Sequence, residues 1–124
     1  MSGGRICIAE GDVELQTRLR VALRKNGFEV TSFDSGYPIV EMMDDWPDVF
    51  LIDIELSGIN GMEICKWLKS HESSQHIPVI LISGEPYLKV LASSAHPDDY
   101  IEKPVSLEKV IEKIREFLPV EKMD

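Results

Sequence analysis

Two runs of this 124-residue chain, Val49-Phe50-Leu51-Ile52 and Val79-Ile80-Leu81-Ile82, are apolar at every position and rich in β-branched side chains. A strand with one face in water alternates apolar and polar residues, so a strand without alternation is covered on both faces. Further strand-like runs lie at Ile6 to Ala9 and Phe28 to Phe33, with a weaker one at Tyr100 to Glu102. Between them stand segments of helical period: Leu15, Leu19, Ala22 and Leu23; Ile39, Val40 and Met43; Met62, Cys65 and Leu68; Leu88, Leu91 and Ala92. The clearest stripe is the last, through Leu107, Val110, Ile111, Ile114, Phe117 and Leu118.

Boundary residues agree with this parsing. Asn26-Gly27 closes the first helix, Asn60 with Glu63 offers a capping box, and Ser106 precedes the last helix. Strand and helix alternate five times, which makes the sheet parallel with right-handed crossovers. The expected fold is therefore a doubly wound α/β sandwich, a flavodoxin-like (βα)5 arrangement around a five-stranded parallel sheet. One domain over residues 5–118 accounts for the pattern, with tails at 1–4 and 119–124, the latter short, polar and expected to fray.

Composition excludes several classes. A net charge of −9 disfavours direct nucleic-acid binding, which requires clustered Lys and Arg, and favours basic partners or divalent cations. No apolar run is long enough to span a bilayer, and the Met1-Ser2-Gly3-Gly4 start lacks a signal peptide's apolar stretch, so a cytoplasmic protein is expected. Cys7 and Cys65 lie within apolar patterns and read as buried thiols, while His71, His76 and His96 lack zinc-ligand spacing and read as surface or loop residues.

In an open parallel sheet, ligands bind beyond the carboxyl ends of the strands, near the point where strand order reverses. Here the first strand ends in Glu10-Gly11-Asp12, the third in Asp53-Ile54-Glu55 and the fourth in Ser83, while Lys103-Pro104 follows the fifth. Asp53 closes an apolar run, where an unpaired carboxylate is costly to desolvate, so a partner is expected for it. Each residue alone has a structural reading: strand-end cap, loop hydroxyl, surface lysine. Their joint placement at one sheet edge points instead to an oxygen-rich anionic cleft suited to Mg²⁺.

Four landmarks in order resemble the receiver family of response regulators: Ile6-Cys7-Ile8-Ala9-Glu10; Pro47 to Asp53 with Gly58 and Asn60-Gly61; Pro78 to Gly84; and Asp98 to Pro104. The resemblance covers Arg5 to Leu118. It implies that Asp53 accepts a phosphoryl group, through Mg²⁺, from phosphohistidine of a histidine kinase or phosphotransfer protein. It implies that Lys103 pairs with Asp53 and then with the phosphoryl oxygens, that Ser83 bonds one of those oxygens, and that Lys103-Pro104 is cis. Asp53, Glu10 and the Glu55 backbone carbonyl would hold the metal. Ser83 and Tyr100 would form the switch, remodelling a surface that includes the last helix and signalling to a downstream protein. The family reading is of a signalling module and not an enzyme, beyond self-catalysed phosphoryl transfer to Asp53 and its hydrolysis. It also admits a homodimer.

The chain departs from the family where two adjacent acids normally follow the first strand: Glu10 takes the first place and Gly11 the second. The second acid is the direct metal ligand, so Mg²⁺ is expected to bind weakly. Asp12 is a candidate for the vacated role, and its other reading is the N-cap of the first helix; Glu55 and Glu85 lie near by spacing. The segment from Ser83 to Tyr100 is about two residues shorter than is usual and lacks a helix-ending glycine. A receiver-like interaction module that takes no phosphate is the alternative. A haloacid-dehalogenase-type hydrolase is disfavoured because Asp53-Ile54-Glu55 follows the third strand instead of the first. A flavodoxin is disfavoured because the loop after the first strand is acidic and would repel a phosphate.

Overall fold

The computed structural model describes residues 3–42, 44–84 and 94–118. Within them run β1 (Arg5–Ala9), α1 (Val13–Lys25), β2 (Glu29–Phe33), α2 (Tyr37–Val40), β3 (Val49–Asp53), α3 (Gly61–Ser70), β4 (Val79–Ser83), β5 (Asp99–Glu102) and α4 (Leu107–Phe117). All strand pairs are parallel and the order is β2-β1-β3-β4-β5. The expected fold is thus the observed one. The order reverses between β1 and β3, the switch point of a doubly wound sheet.

β3 and β4 are buried at every residue, as their unbroken apolar character requires. Their side chains divide between two cores. Phe50, Ile52, Val79 and Leu81 pack with Ile39, Ile64, Cys65 and Leu68 from α2 and α3. Val49, Leu51, Ile80 and Ile82 pack with Leu19, Leu23, Val110 and Ile114 from α1 and α4. Period 2 along each strand sends successive residues to opposite layers.

Helix ends follow the sequence signals. Asp12 caps α1 by accepting the Leu15 N–H, Asn60 caps α3 through the Glu63 N–H, and Ser106 caps α4 through the Lys109 N–H. Asn26 closes α1 and Gly27 adopts φ +91°, the left-handed conformation that glycine tolerates best. The second helical segment is shorter than expected: α2 is a single turn begun at Tyr37-Pro38, and the chain turns at Glu41. Met43, the segment around Leu88, Leu91 and Ala92, and the tail from residue 119 lie outside the described residues.

Register explains how distant residues meet. Ala9 pairs with Ile52, Asp53 with Ile82, and Ser83 with Glu102. The next residues along, Glu10 and Lys103, therefore arrive beside Asp53 and Ser83 at one edge.

Candidate functional site

Asp53 is the last residue of β3 and is 1 % exposed. Its Oδ1 accepts the Glu55 N–H at 2.8 Å, the local turn that Asp favours where a strand ends. Its Oδ2 lies 2.6 Å from the Lys103 ammonium. The buried carboxylate so has both a backbone donor and a counter-ion, the compensation its position demands. Behind it, Gly61 at the start of α3 lies so close to the Asp53 carbonyl that a Cβ there would collide with it. The helix seats directly on the strand end and fixes the loop between.

Lys103 is placed by its backbone as well as by its charge. Its N–H donates to the Ser83 carbonyl at 2.8 Å, and its bond to Pro104 is cis, as the resemblance implies. Burial alone would lower the lysine's pKa, but the bond to Asp53 and the charges of Asp53, Glu10 and Glu55 outweigh it and raise it. The ammonium is locked on. Ser83, fully buried, ends β4 next to this pair.

Glu10 is the least satisfied member. It is 1 % exposed, and its Oε1 has no hydrogen-bond partner among the described residues. Its Oε2 accepts the Asp12 N–H at 3.1 Å, and Gln16 Nε2 braces its backbone carbonyl at 2.8 Å. The side chain lies within hydrogen-bonding reach of Asp53, where two ionised carboxylates can only repel. Burial first, then this neighbour, push its pKa up to about 7, against smaller pulls from the Asp12 N–H and Lys103.

The neighbouring acids are arranged differently. Asp12 is exposed at the helix cap, 3.2 Å from the Leu15 N–H. Gly11 offers no side chain, although a Cβ there would meet only the Asp34 carbonyl at 3.9 Å and its φ lies outside the left-handed region. Glu55 is exposed and its Oε1 accepts the Gly84 N–H at 3.3 Å. Among the described residues no three His, Cys, Asp or Glu side chains converge to hold a metal by themselves.

Tyr100 on β5 is half-buried against the core that contains Leu81 and Ala95, and Lys113 of α4 grips the adjacent Asp99 at 2.9 Å. Cys7 and Cys65 are buried thiols, each pushed up to about 12 by burial, and the three histidines are exposed. Sequence reasoning passed over Gln16 and the Gly84 amide. The first carries only the signal of a polar residue on an amphipathic helix, and the second is main chain and carries none.

Comparison with known proteins adds an independent line. The family model described as the response regulator receiver domain matches residues 6–115. The phosphate regulon transcriptional regulatory protein PhoB of Escherichia coli (strain K12) is 30 % identical over 114 residues, covering 90 % of this chain and 50 % of PhoB. PhoB of Rhizobium meliloti (strain 1021) is 27 % identical over 117 residues, covering 92 % of this chain and 52 % of that protein. The chain spans about half the length of these curated relatives. Among solved structures, the receiver domain of a Pseudomonas aeruginosa PAO1 sensor histidine kinase, with a magnesium ion coordinated in its active-site cleft, superposes with a TM-score of 0.85 at 21 % identity, covering 94 % of this chain and 98 % of that one.

Proposed function

The chain belongs to the response regulator receiver domain family, and from that premise we propose that Asp53 takes a phosphoryl group from phosphohistidine of a histidine kinase or phosphotransfer protein. The observation that carries this reading is the 2.6 Å contact between Lys103 and the buried Asp53 carboxylate. In the transfer, an Asp53 oxygen bonds to phosphorus as the phosphorus–nitrogen bond breaks, and the electron pair leaves with the imidazole nitrogen. Lys103 follows the charge from the carboxylate to the phosphoryl oxygens. The Ser83 hydroxyl donates to one of them, and with Tyr100 carries the change to the surface of β5 and α4.

The donor set suits a hard cation: Glu10 brings a buried oxygen that finds no donor among the described residues, beside a second carboxylate. Asp53, Glu10 and the Glu55 carbonyl would hold Mg²⁺, with water completing the shell, and the bound cation supplies the positive charge that screens the incoming phosphoryl group. Asp12 is the weaker candidate ligand because its carboxylate is engaged at the helix cap.

The proposed unit is residues 5–118, with 1–4 and 119–124 as tails. Its partners are the phosphodonor protein and a downstream protein target, with self-association of two copies compatible with the family. It turns over no separate substrate, and its acidic charge argues against direct nucleic-acid contact. We assign it a cytoplasmic site of action; no helix among the described residues is long and apolar enough to cross a membrane.

Gly11 favours a second reading, an interaction module that takes no phosphate. The two diverge under acetyl phosphate or phosphoramidate with Mg²⁺. A phosphoreceiver gains acid-labile phosphate that Asp53→Asn removes; an interaction module gains none at any donor concentration.

A further inference from the structure

Glu55 reaches both sides of the cleft at once. Its N–H is held by Asp53 Oδ1 at 2.8 Å, while its carboxylate accepts the Gly84 N–H at 3.3 Å. Gly84 lies against the catalytic lysine: a Cβ built on it would sit 3.9 Å from Lys103 Cβ, 4.0 Å from Cδ and 3.7 Å from the Glu55 oxygen. The negative charge of Glu55 is one of the influences that raise the Lys103 pKa.

A phosphoryl group on Asp53 brings further anionic oxygens into this space, and each needs a donor. Lys103 and the Ser83 hydroxyl can serve some of them, while the Glu55 N–H is already taken by Asp53. The Gly84 N–H, next to Lys103 at the cleft mouth, is held by an anion belonging to the chain itself. Like charges at this range repel, and one N–H cannot serve both acceptors well.

We propose that the Glu55 carboxylate is a tethered anion that occupies the Gly84 amide and must be displaced when Asp53 is phosphorylated, so that Glu55 sets the rate of that step. It is a positioning residue and takes no part in the bonds made or broken. The inference rests on Asp53 being the phosphoacceptor.

The experiment follows phosphoramidate labelling of the full chain in saturating Mg²⁺ by intact mass, for the wild type, Glu55→Gln, Glu55→Ala and Glu14→Gln. In this reaction the Asp53 oxygen bonds to phosphorus, the phosphorus–nitrogen bond breaks, and the nitrogen leaves with its electron pair as ammonia after protonation by solvent. Both Glu55 variants should label several-fold faster than the wild type. Glu14→Gln, which removes a charge from the pocket that Glu14 lines with Asp12 and Lys103, should change the rate by less than twofold. Without metal, hydrogen exchange at the Gly84 amide should speed up in Glu55→Ala.

A purely structural contact would leave Glu55→Gln at the wild-type rate, since glutamine keeps the acceptor. Equal acceleration in Glu14→Gln would make the effect a long-range field. Either result overturns the proposal, as does unchanged Gly84 exchange. If the wild type takes no label while Gly84 exchange responds, it is the phosphoacceptor reading that has failed.

Discussion

Glu10 and Asp53 place two acids in a buried space with one ammonium, and the imbalance has a pH signature. The Glu10 pKa rises from 4.5 to about 7 on folding, chiefly through burial and then through Asp53. Between those values the folded protein holds more protons than the unfolded chain, so this group's contribution is full below about pH 4.5 and is lost as pH rises through 7. In EDTA, the urea midpoint of the wild type relative to Glu10→Gln should therefore fall from pH 5 to pH 8, and Mg²⁺ should restore part of it by binding the folded state. A constant difference between the two proteins would show that Glu10 ionises freely. Gly11 makes the complementary case: space for a side chain is open, so Gly11→Asp should tighten Mg²⁺ about tenfold by calorimetric titration, roughly 1.4 kcal/mol. An unchanged affinity would mean that another group already fills that ligand position.

At the level of elements, what the sequence disclosed depended on how much each signal was local. β3 and β4 were legible because neither run alternates, and two-sided burial leaves few other readings. The caps at Asp12, Asn60 and Ser106 were legible because capping uses contacts within one turn. The second helix was overextended: three spaced apolar residues satisfy the period, yet only one turn forms and Ile39 alone anchors it in the core. Asp12 had two readings, cap and metal ligand, since spacing cannot say which way a carboxylate turns. Its bond to the Leu15 N–H favours the cap. Asp12→Ala should then cost about 1 kcal/mol of stability by denaturant unfolding while leaving Mg²⁺ affinity within about twofold. A large loss of metal affinity would return Asp12 to the ligand set.

For the molecule as a whole, parallel order and register convert a linear pattern into a site. Residues 10, 53, 83 and 103 are far apart in the chain, but each ends or follows a strand, and the pairing of Ala9 with Ile52, Asp53 with Ile82 and Ser83 with Glu102 delivers them to one edge. That convergence could be expected from the strand pattern. The unsatisfied oxygen of Glu10 and the Glu55 hold on Gly84 could not, because both depend on side-chain reach of a few ångströms. The central claim is that the Asp53–Lys103 pair is a phosphoryl-accepting centre, and intact-mass spectrometry after exposure to phosphoramidate and Mg²⁺ tests it most directly. The account predicts one added phosphoryl mass on the wild type, labile to acid and absent from Asp53→Asn. A wild type that gains no mass at any donor or metal concentration, or an Asp53→Asn variant that gains the same mass, would contradict it.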